Sequence, residues 1–68
     1  MWRIDDWTLA DFLVEGDVIR FNDIILTITN IEEDDDDYLK IIGTDDMWEE
    51  RIEVMIPSLD TVPLLVWE

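Results

Sequence analysis

The twenty residues from Ile24 to Gly43 constrain the fold of this chain more than any other part of it. Two runs rich in β-branched residues, 24–33 and 38–43, flank four consecutive aspartates, Asp34, Asp35, Asp36 and Asp37. β-Branched and aromatic residues suit a pleated, half-buried strand, whereas four adjacent carboxylates must remain in water. The pattern therefore predicts a long β-hairpin with an acidic tip, called here the aspartate tip (residues 34–37).

The first arm of this hairpin contains a change of phase. Leu26 and Ile28 share one face, but the next apolar residue, Ile31, has the opposite phase. A bulge near Asn30 would return Ile31 to the apolar face and bend the strand.

Three further strands are expected around the hairpin. Residues 17–21 precede it through a two-residue turn, Asn22-Asp23, since both residues tolerate positive φ. Residues 48–56 follow a turn at 44–46 and alternate apolar with polar side chains, and 61–67 form the last strand. A short 3₁₀ turn is expected at 57–60, and Pro63 predicts an edge position or a bulge because proline lacks the amide donor.

Residues 1–15 are expected to form an N-terminal arm. Trp2 and Ile4 predict a short strand or an ordered arm. Thr8, followed three residues later by an acid, has the spacing of a weak helix N-cap, and a single turn would end at Gly16.

Composition favours one folded domain over residues 1–68, with the arm at 1–15 and a barrel at 16–67. The chain has 19 acidic and 4 basic residues and a net charge of −15, yet it is rich in Ile, Val, Leu and Trp, unlike an acidic disordered tail. It has no cysteine, which excludes disulfides and zinc–thiolate sites and is compatible with a reducing cytoplasm. No apolar run approaches the ~20 residues that span a bilayer, and no secretory signal is expected.

Five strands joined by short turns, with a bent second strand and a 3₁₀ turn before the fifth, resemble an SH3-like small β-barrel. The residues that carry this resemblance are 16–19, the hairpin arms 24–33 and 38–43, and 57–60 leading into 62–66. The resemblance implies an all-β fold, a five-stranded barrel preceded by the arm or helical turn. The aromatic proline-binding motif of signalling SH3 domains is not matched, so recognition of that kind is not implied. The chain also resembles short acidic proteins that bacteriophages encode, which would place it in a host cytoplasm.

An oligonucleotide-binding-type barrel also has five strands and is the alternative architecture. Its usual ligand, a nucleic-acid strand, would be repelled by this chain, as would an anionic membrane surface.

Most catalytic arrangements are excluded by composition. The chain has no histidine, no cysteine and a single serine, so neither a Ser–His–Asp nor a Cys–His site can form within it. Acid–base catalysis by a pair of carboxylates would need a deep cleft to raise the pKa of one of them, and a 68-residue barrel has little room for such a cleft. We expect no enzymatic activity and no cofactor. The aspartate tip offers oxygen ligands to Ca²⁺ or Mg²⁺, but its acids are contiguous and lack the glycine of a helix–loop–helix site, so a solvated tip is favoured.

The apolar residues leave two interpretations open. The four tryptophans either cover the ends of a small core or belong to an interface, where tryptophan is enriched. Strands 38–43 and 61–67 are apolar on both faces, so an outward apolar set needs cover, and a homodimer is the commonest way to supply it. The candidate interface residues are Trp2, Trp7, Ile42, Trp48, Met55 and Trp67.

The acidic residues predict a basic partner. Alternate residues on a strand face lie ~6.6 Å apart, close to the spacing of phosphates along a nucleic-acid strand. A charge of −15 on 68 residues exceeds what solubility needs and costs stability through self-repulsion. We therefore expect a non-enzymatic protein-binding module, with a phage-encoded nucleic-acid mimic that inhibits a host DNA- or RNA-binding enzyme or defence complex as the concrete hypothesis. The alternative is a structural or virion-associated homo-oligomer. The predicted partner-binding residues are Asp34, Asp35, Asp36, Asp37, Asp45, Asp46, Glu49 and Glu50.

Overall fold

A computed structural model describes all residues from 1 to 68 and shows an all-β protein with one antiparallel sheet of six strands. The strands are β1 (Trp2–Leu9), β2 (Val18–Phe21), β3 (Ile24–Glu33), β4 (Tyr38–Asp45), β5 (Arg51–Pro57) and β6 (Thr61–Trp67). Their order in the sheet is β1-β6-β2-β3-β4-β5, so β1 and β5 are the edges and the sheet does not close. A three-residue 3₁₀ helix, Ala10–Phe12, follows β1.

The all-β prediction is confirmed, but the sheet differs from the expected five-stranded barrel. The N-terminal segment is a full strand, paired with β6 from Trp2 opposite Trp67 to Leu9 opposite Thr61. This pairing brings apolar residues of the segment against apolar residues of β6, which an unpaired arm would leave in water. The chain therefore has a sixth strand at one edge of an open sheet.

The β2–β3 and β3–β4 hairpins form as the sequence predicts. Asn22 and Asp23 have φ values of 50° and 65°, as a two-residue hairpin turn with right-handed twist requires. In β3 the register shifts between Ile28 and Asn30, which leaves Thr29 as the extra residue of a bulge. Beyond the bulge, Ile31 pairs with Ile41 and packs against the core, so the predicted change of phase is confirmed.

The core lies on one face of the sheet and contains no buried polar side chain. It comprises Ala10, Leu13, Ile19, Leu26, Ile28, Leu39, Ile41, Ile56 and Val62. Gly43 sits against this cluster, and a Cβ on it would overlap the Thr27 carbonyl oxygen and the Leu26 side chain. Only glycine therefore allows β4 to approach β3 this closely.

Several local boundaries differ from the predicted ones. β4 continues to Asp45, and β5 begins at Arg51 rather than at Trp48. Thr8 does not cap the 3₁₀ helix through its side chain; the position before the helix is Leu9. Gly16 has the expected left-handed conformation, with φ of 95°.

One of the two prolines ends a strand, and the other lies inside the sheet. Pro57 is the last residue of β5, and its carbonyl oxygen accepts a hydrogen bond of 3.0 Å from the Asp60 amide, which closes the turn into β6. Pro63 lies in an inner strand, opposite Trp7. The predicted edge position is therefore wrong, and the nearest irregularity lies on the neighbouring strand β1, where the register shifts between Ile4 and Asp6 and Asp5 is the extra residue. None of the helical segments is long or apolar enough to cross a membrane.

Candidate functional site

The eight predicted partner-binding acids occupy two separate places. The aspartate tip joins β3 to β4, whereas Asp45 ends β4, and Asp46, Glu49 and Glu50 follow it in the connection to β5. These places lie at opposite ends of β4, whose eight residues span ~23 Å at ~3.3 Å per residue. The structure thus brings the acids together as two groups of four, not as one surface.

The aspartate tip is held by one of its own carboxylates. Asp35 Oδ1 accepts hydrogen bonds from the Asp37 amide at 2.7 Å and the Tyr38 amide at 3.0 Å. The Asp34 amide donates to the Tyr38 carbonyl oxygen at 3.2 Å and closes the hairpin. The carboxylates of Asp34, Asp36 and Asp37 make no hydrogen bond within the chain and face water, so three charges project from a fixed turn.

No three carboxylates of the chain, at the tip or elsewhere, come together in an arrangement that could hold a metal ion. The carboxylates of the tip are therefore separate negative charges rather than one ligand set.

The connection between β4 and β5 (residues 46–50, called here the acidic connection) has a defined shape. Asp45 Oδ1 accepts hydrogen bonds from the amides of Met47 and Trp48 at 2.7 and 3.2 Å. The Glu49 amide donates to the Asp45 carbonyl oxygen at 2.8 Å, and Glu49 adopts φ of 55°. Because these bonds turn the backbone away from the strand direction, Trp48 cannot begin β5. The turn displays Met47 and Trp48 to solvent, with 77% and 70% of their surfaces exposed.

Asp46 links the acidic connection to two other elements. Its amide donates to the Ile25 carbonyl oxygen at 2.9 Å, and its Oδ2 accepts a hydrogen bond of 2.8 Å from the indole Nε1 of Trp2. The Trp2 ring meets the Trp67 ring edge to face, with their centroids 5.2 Å apart. Asp46 therefore has a structural role in addition to its charge.

A cavity of about 180 Å³ lies between the β2–β3 turn and the acidic connection. It is lined by Asp23, Ile24, Ile25, Asp45, Asp46, Met47 and Trp48. Apolar side chains and carboxylates thus face the same space. Neither this cavity nor the place of Asp23 in it was predicted from the sequence, because the two turns that form the cavity lie more than twenty residues apart.

Most of the acidic side chains have no ion-pair partner within the chain. Only two of the 19 acidic side chains lie within ion-pair distance of a cation: Glu68 with Arg3 at 2.9 Å, and Glu53 with Arg51 at 2.8 Å and Lys40 at 3.6 Å. The hydrogen bond from Arg51, with the nearby charge of Lys40, lowers the pKa of the Glu53 carboxyl below its ordinary value. The other 17 carboxylates, including all eight predicted partner-binding acids, have no such compensation.

A second surface, called here the outer apolar face, lies on β1 and β6 away from the core. Directly opposed residues point to the same face, and alternate residues of a strand share a face. The opposed pairs Trp2 and Trp67, Ile4 and Leu65, and Trp7 and Pro63 therefore lie together, while Leu64 packs against the core on the other side. Pro63 and Leu65 are buried, whereas Trp7 and Trp67 are 56% and 67% exposed.

The six candidate interface residues do not form one surface. Trp2, Trp7 and Trp67 belong to the outer apolar face, but Trp48 lies in the acidic connection and Met55 on the opposite edge strand, β5. Ile42 is only 5% exposed, so it has almost no surface to offer a partner. It lies between its neighbours Asn30 and Glu53 in the sheet.

Comparison with known proteins adds no relative: no protein-family model, curated protein or solved structure matches this chain.

Proposed function

We propose that this protein is a non-enzymatic module that binds a basic protein surface. The observation that carries the proposal is the set of 17 carboxylates without an ion-pair partner on a chain of 68 residues. Repulsion among them costs folding free energy, and a cationic partner would relieve that cost on binding. The two groups of acids lie at opposite ends of β4, so an elongated basic surface can contact both of them.

The partner class that fits best is a protein that normally holds nucleic acid. Such a surface carries Lys and Arg spaced to meet phosphates, and it gains affinity by neutralising a dense row of negative charges. In this chain three carboxylates of the aspartate tip, those of Asp34, Asp36 and Asp37, are free of internal hydrogen bonds on a hairpin end that Asp35 holds in place. Our concrete hypothesis is a phage-encoded mimic that inhibits a host DNA- or RNA-binding enzyme or defence complex in the host cytoplasm.

We also propose that the five strands after residue 16 represent an SH3-like unit to which β1 has been added. Three features support this relationship: the bulge that bends β3, the tight turn from Pro57 to Asp60, and the return of β6 to pair with β2 at Ile19 and Leu64.

The test is capture followed by competition. The chain, immobilised through one end, is exposed to a lysate of bacterial host cells, and bound proteins are eluted with rising salt. We expect a nucleic-acid-binding protein that added duplex or single-stranded DNA or RNA displaces. A partner that nucleic acid never displaces would overturn the mimicry.

Matched variants locate the contact. Asp34→Asn with Asp36→Asn removes two tip charges that make no internal hydrogen bond, and Glu49→Gln with Glu50→Gln removes two charges of the acidic connection. Both variants have the same net charge. A larger loss of affinity in one of them identifies the end of the sheet that meets the partner, and equal affinity to the parent chain in both contradicts the proposal.

The second candidate function is a homo-oligomeric structural module. The outer apolar face favours it, since two tryptophans there are more than half exposed beside buried Pro63 and Leu65. Sedimentation separates the two functions: an oligomer that persists at high salt and dissociates on Trp7→Ser with Trp67→Ser supports assembly. A monomer at all salt concentrations excludes it.

A further inference from the structure

We propose that the cavity between the β2–β3 turn and the acidic connection receives an arginine side chain from the partner protein. The inference rests on the proposed function in one respect, namely that the partner is basic. It goes further in two ways: it names the place on this chain where a single residue of the partner is anchored, and it names the type of that residue.

The size of the cavity suits one side chain. At about 180 Å³ it is smaller than the 300–1,000 Å³ typical of small-molecule sites, yet it is far larger than the space that one water molecule needs. Ile24, Ile25, Met47 and Trp48 supply apolar walls for a hydrocarbon stem.

The charge of the cavity selects a cation. Asp23, Asp45 and Asp46 line it, and no cation of this chain lies within ion-pair distance of any of them. Asp45 uses only Oδ1 for its turn, and Asp46 uses only Oδ2 for Trp2, so each keeps one oxygen without an internal donor.

The mixture of groups favours arginine over lysine. A guanidinium is planar, donates two parallel hydrogen bonds to carboxylates and stacks on an aromatic ring. Trp48 offers such a ring beside the carboxylates, and tryptophan is the best aromatic partner for a cation. Trp48 is also 70% exposed on a turn that its own hydrogen bonds hold in place, so little ordering is needed when a partner covers it.

A second copy of this chain does not fit as the source of the arginine. The chain carries four basic side chains, of which Arg3, Lys40 and Arg51 are in ion pairs within the chain, so only Arg20 is outside one. Its other charges would bring net repulsion between two copies. The arginine therefore belongs to a different, basic protein.

The test uses blocked tripeptides and nuclear magnetic resonance at low salt. Acetyl-Gly-Arg-Gly-amide is titrated into the ¹⁵N-labelled chain, with the lysine and the uncharged citrulline peptides as comparisons. We expect the arginine peptide to shift the Trp48 indole signal and the amides of Asp23, Ile25 and Met47, and to bind more tightly than the lysine peptide. Shifts spread evenly over all acidic segments, or equal affinity for arginine and lysine, would overturn the proposal.

Two pairs of variants make the test specific. Trp48→Ala should lower the affinity for the arginine peptide about two- to fivefold. Trp67→Ala, which removes a tryptophan of similar exposure, should leave that affinity unchanged. Asp23→Asn should lower the affinity for the arginine peptide more than Asp34→Asn does, although each substitution removes one charge. The amide spectra of all four variants confirm that the fold is retained, and equal effects within either pair contradict the inference.

The native partner separates failure of this inference from failure of the proposed function. If a basic partner binds the parent chain and Trp48→Ala and Asp23→Asn bind it equally well, the cavity is not the anchor, but the proposed function stands. If no basic protein binds, the proposed function is wrong, and the peptide titration still decides whether the cavity selects arginine.

Discussion

The indole Nε1 of Trp2 donates a hydrogen bond of 2.8 Å to the carboxylate of Asp46, a residue 44 positions away in the chain. Trp2 belongs to edge strand β1, and Asp46 follows β4, which is not a neighbour of β1 in the sheet. One side-chain bond therefore connects the first strand to the acidic connection.

Replacing Asp46 with alanine should destabilise the chain although it removes a negative charge. The Trp2 indole and the Asp46 carboxylate are linked by a hydrogen bond worth about 1 kcal/mol, which exceeds the relief of repulsion at one exposed site. Urea unfolding measures the loss, and faster exchange of the Trp2 indole proton reports the broken bond. Asp36→Ala, which removes a carboxylate without an internal partner, serves as the control and should not lower stability.

Gly43→Ala should be the most damaging small substitution in the sheet. The added Cβ would overlap the Thr27 carbonyl oxygen, so β3 and β4 must separate at a cost of about 3 kcal/mol. Gly16→Ala provides the comparison, since Gly16 has open space around it and only its positive φ opposes alanine, at about 1 kcal/mol. Urea denaturation ranks the two, and the reverse order would contradict the close approach of the strands.

Within the aspartate tip, Asp35 should differ from its neighbours. Asp35→Ala removes the acceptor for two backbone amides and should cost about 1 kcal/mol. Asp34→Ala removes an equal charge but no hydrogen bond and should leave stability unchanged or slightly higher. Parallel urea titrations of the two variants measure the difference, and identical midpoints would mean that the turn does not depend on Asp35.

Glu53 should stabilise the chain in a pH-dependent way. Its pKa is lowered in the folded state, first by the hydrogen bond from Arg51 and then by the charge of Lys40. The stabilisation is therefore present above the unfolded-state pKa and is lost as the pH falls through the folded-state pKa. Glu53→Gln should be less stable than Glu50→Gln at pH 7, and the two should converge once the pH falls below that lowered value. A difference that does not change with pH would contradict the linkage.

Added sodium chloride should raise the melting temperature of the isolated chain. Screening weakens repulsion among the 17 carboxylates without ion-pair partners, and we expect a rise of about 5 °C between 20 and 500 mM salt, equivalent to about 1 kcal/mol. Thermal unfolding followed by circular dichroism measures the shift. The melting temperature of a variant with Asp34, Asp36 and Glu50 neutralised should rise less with salt. If the melting temperature of the parent chain does not rise, its charges scarcely interact.

Features set by local chemistry were predictable from the sequence. The turn at Asn22-Asp23 needs residues that accept positive φ, and the bulge beside Asn30 follows from the phase of Ile31. The bounds of β3 and β6 follow from their β-branched runs and flanking turns. In each case the relevant residues are neighbours in the chain.

Features that depend on distant partners were not predictable. Trp2 and Ile4 predict a short strand or an ordered arm, but the full length of β1 and its pairing with β6, more than fifty residues later, could not be predicted. The predicted strand between the aspartate tip and the next turn already separates the two groups of acids, but the hydrogen bond from Trp2 to Asp46 joins residues 44 positions apart and has no local signal. The cavity likewise depends on two turns that meet only after the sheet has formed.

The extra residue Asp5 makes the two borders of the sheet chemically unequal. Along β1, the shift between Ile4 and Asp6 interrupts the row of backbone donors and acceptors and places carboxylates where an incoming chain would have to dock. β5 has no such interruption from Arg51 to Pro57. Any foreign segment that extends this sheet by main-chain pairing should therefore join at β5, and the β1 border is protected against aggregation.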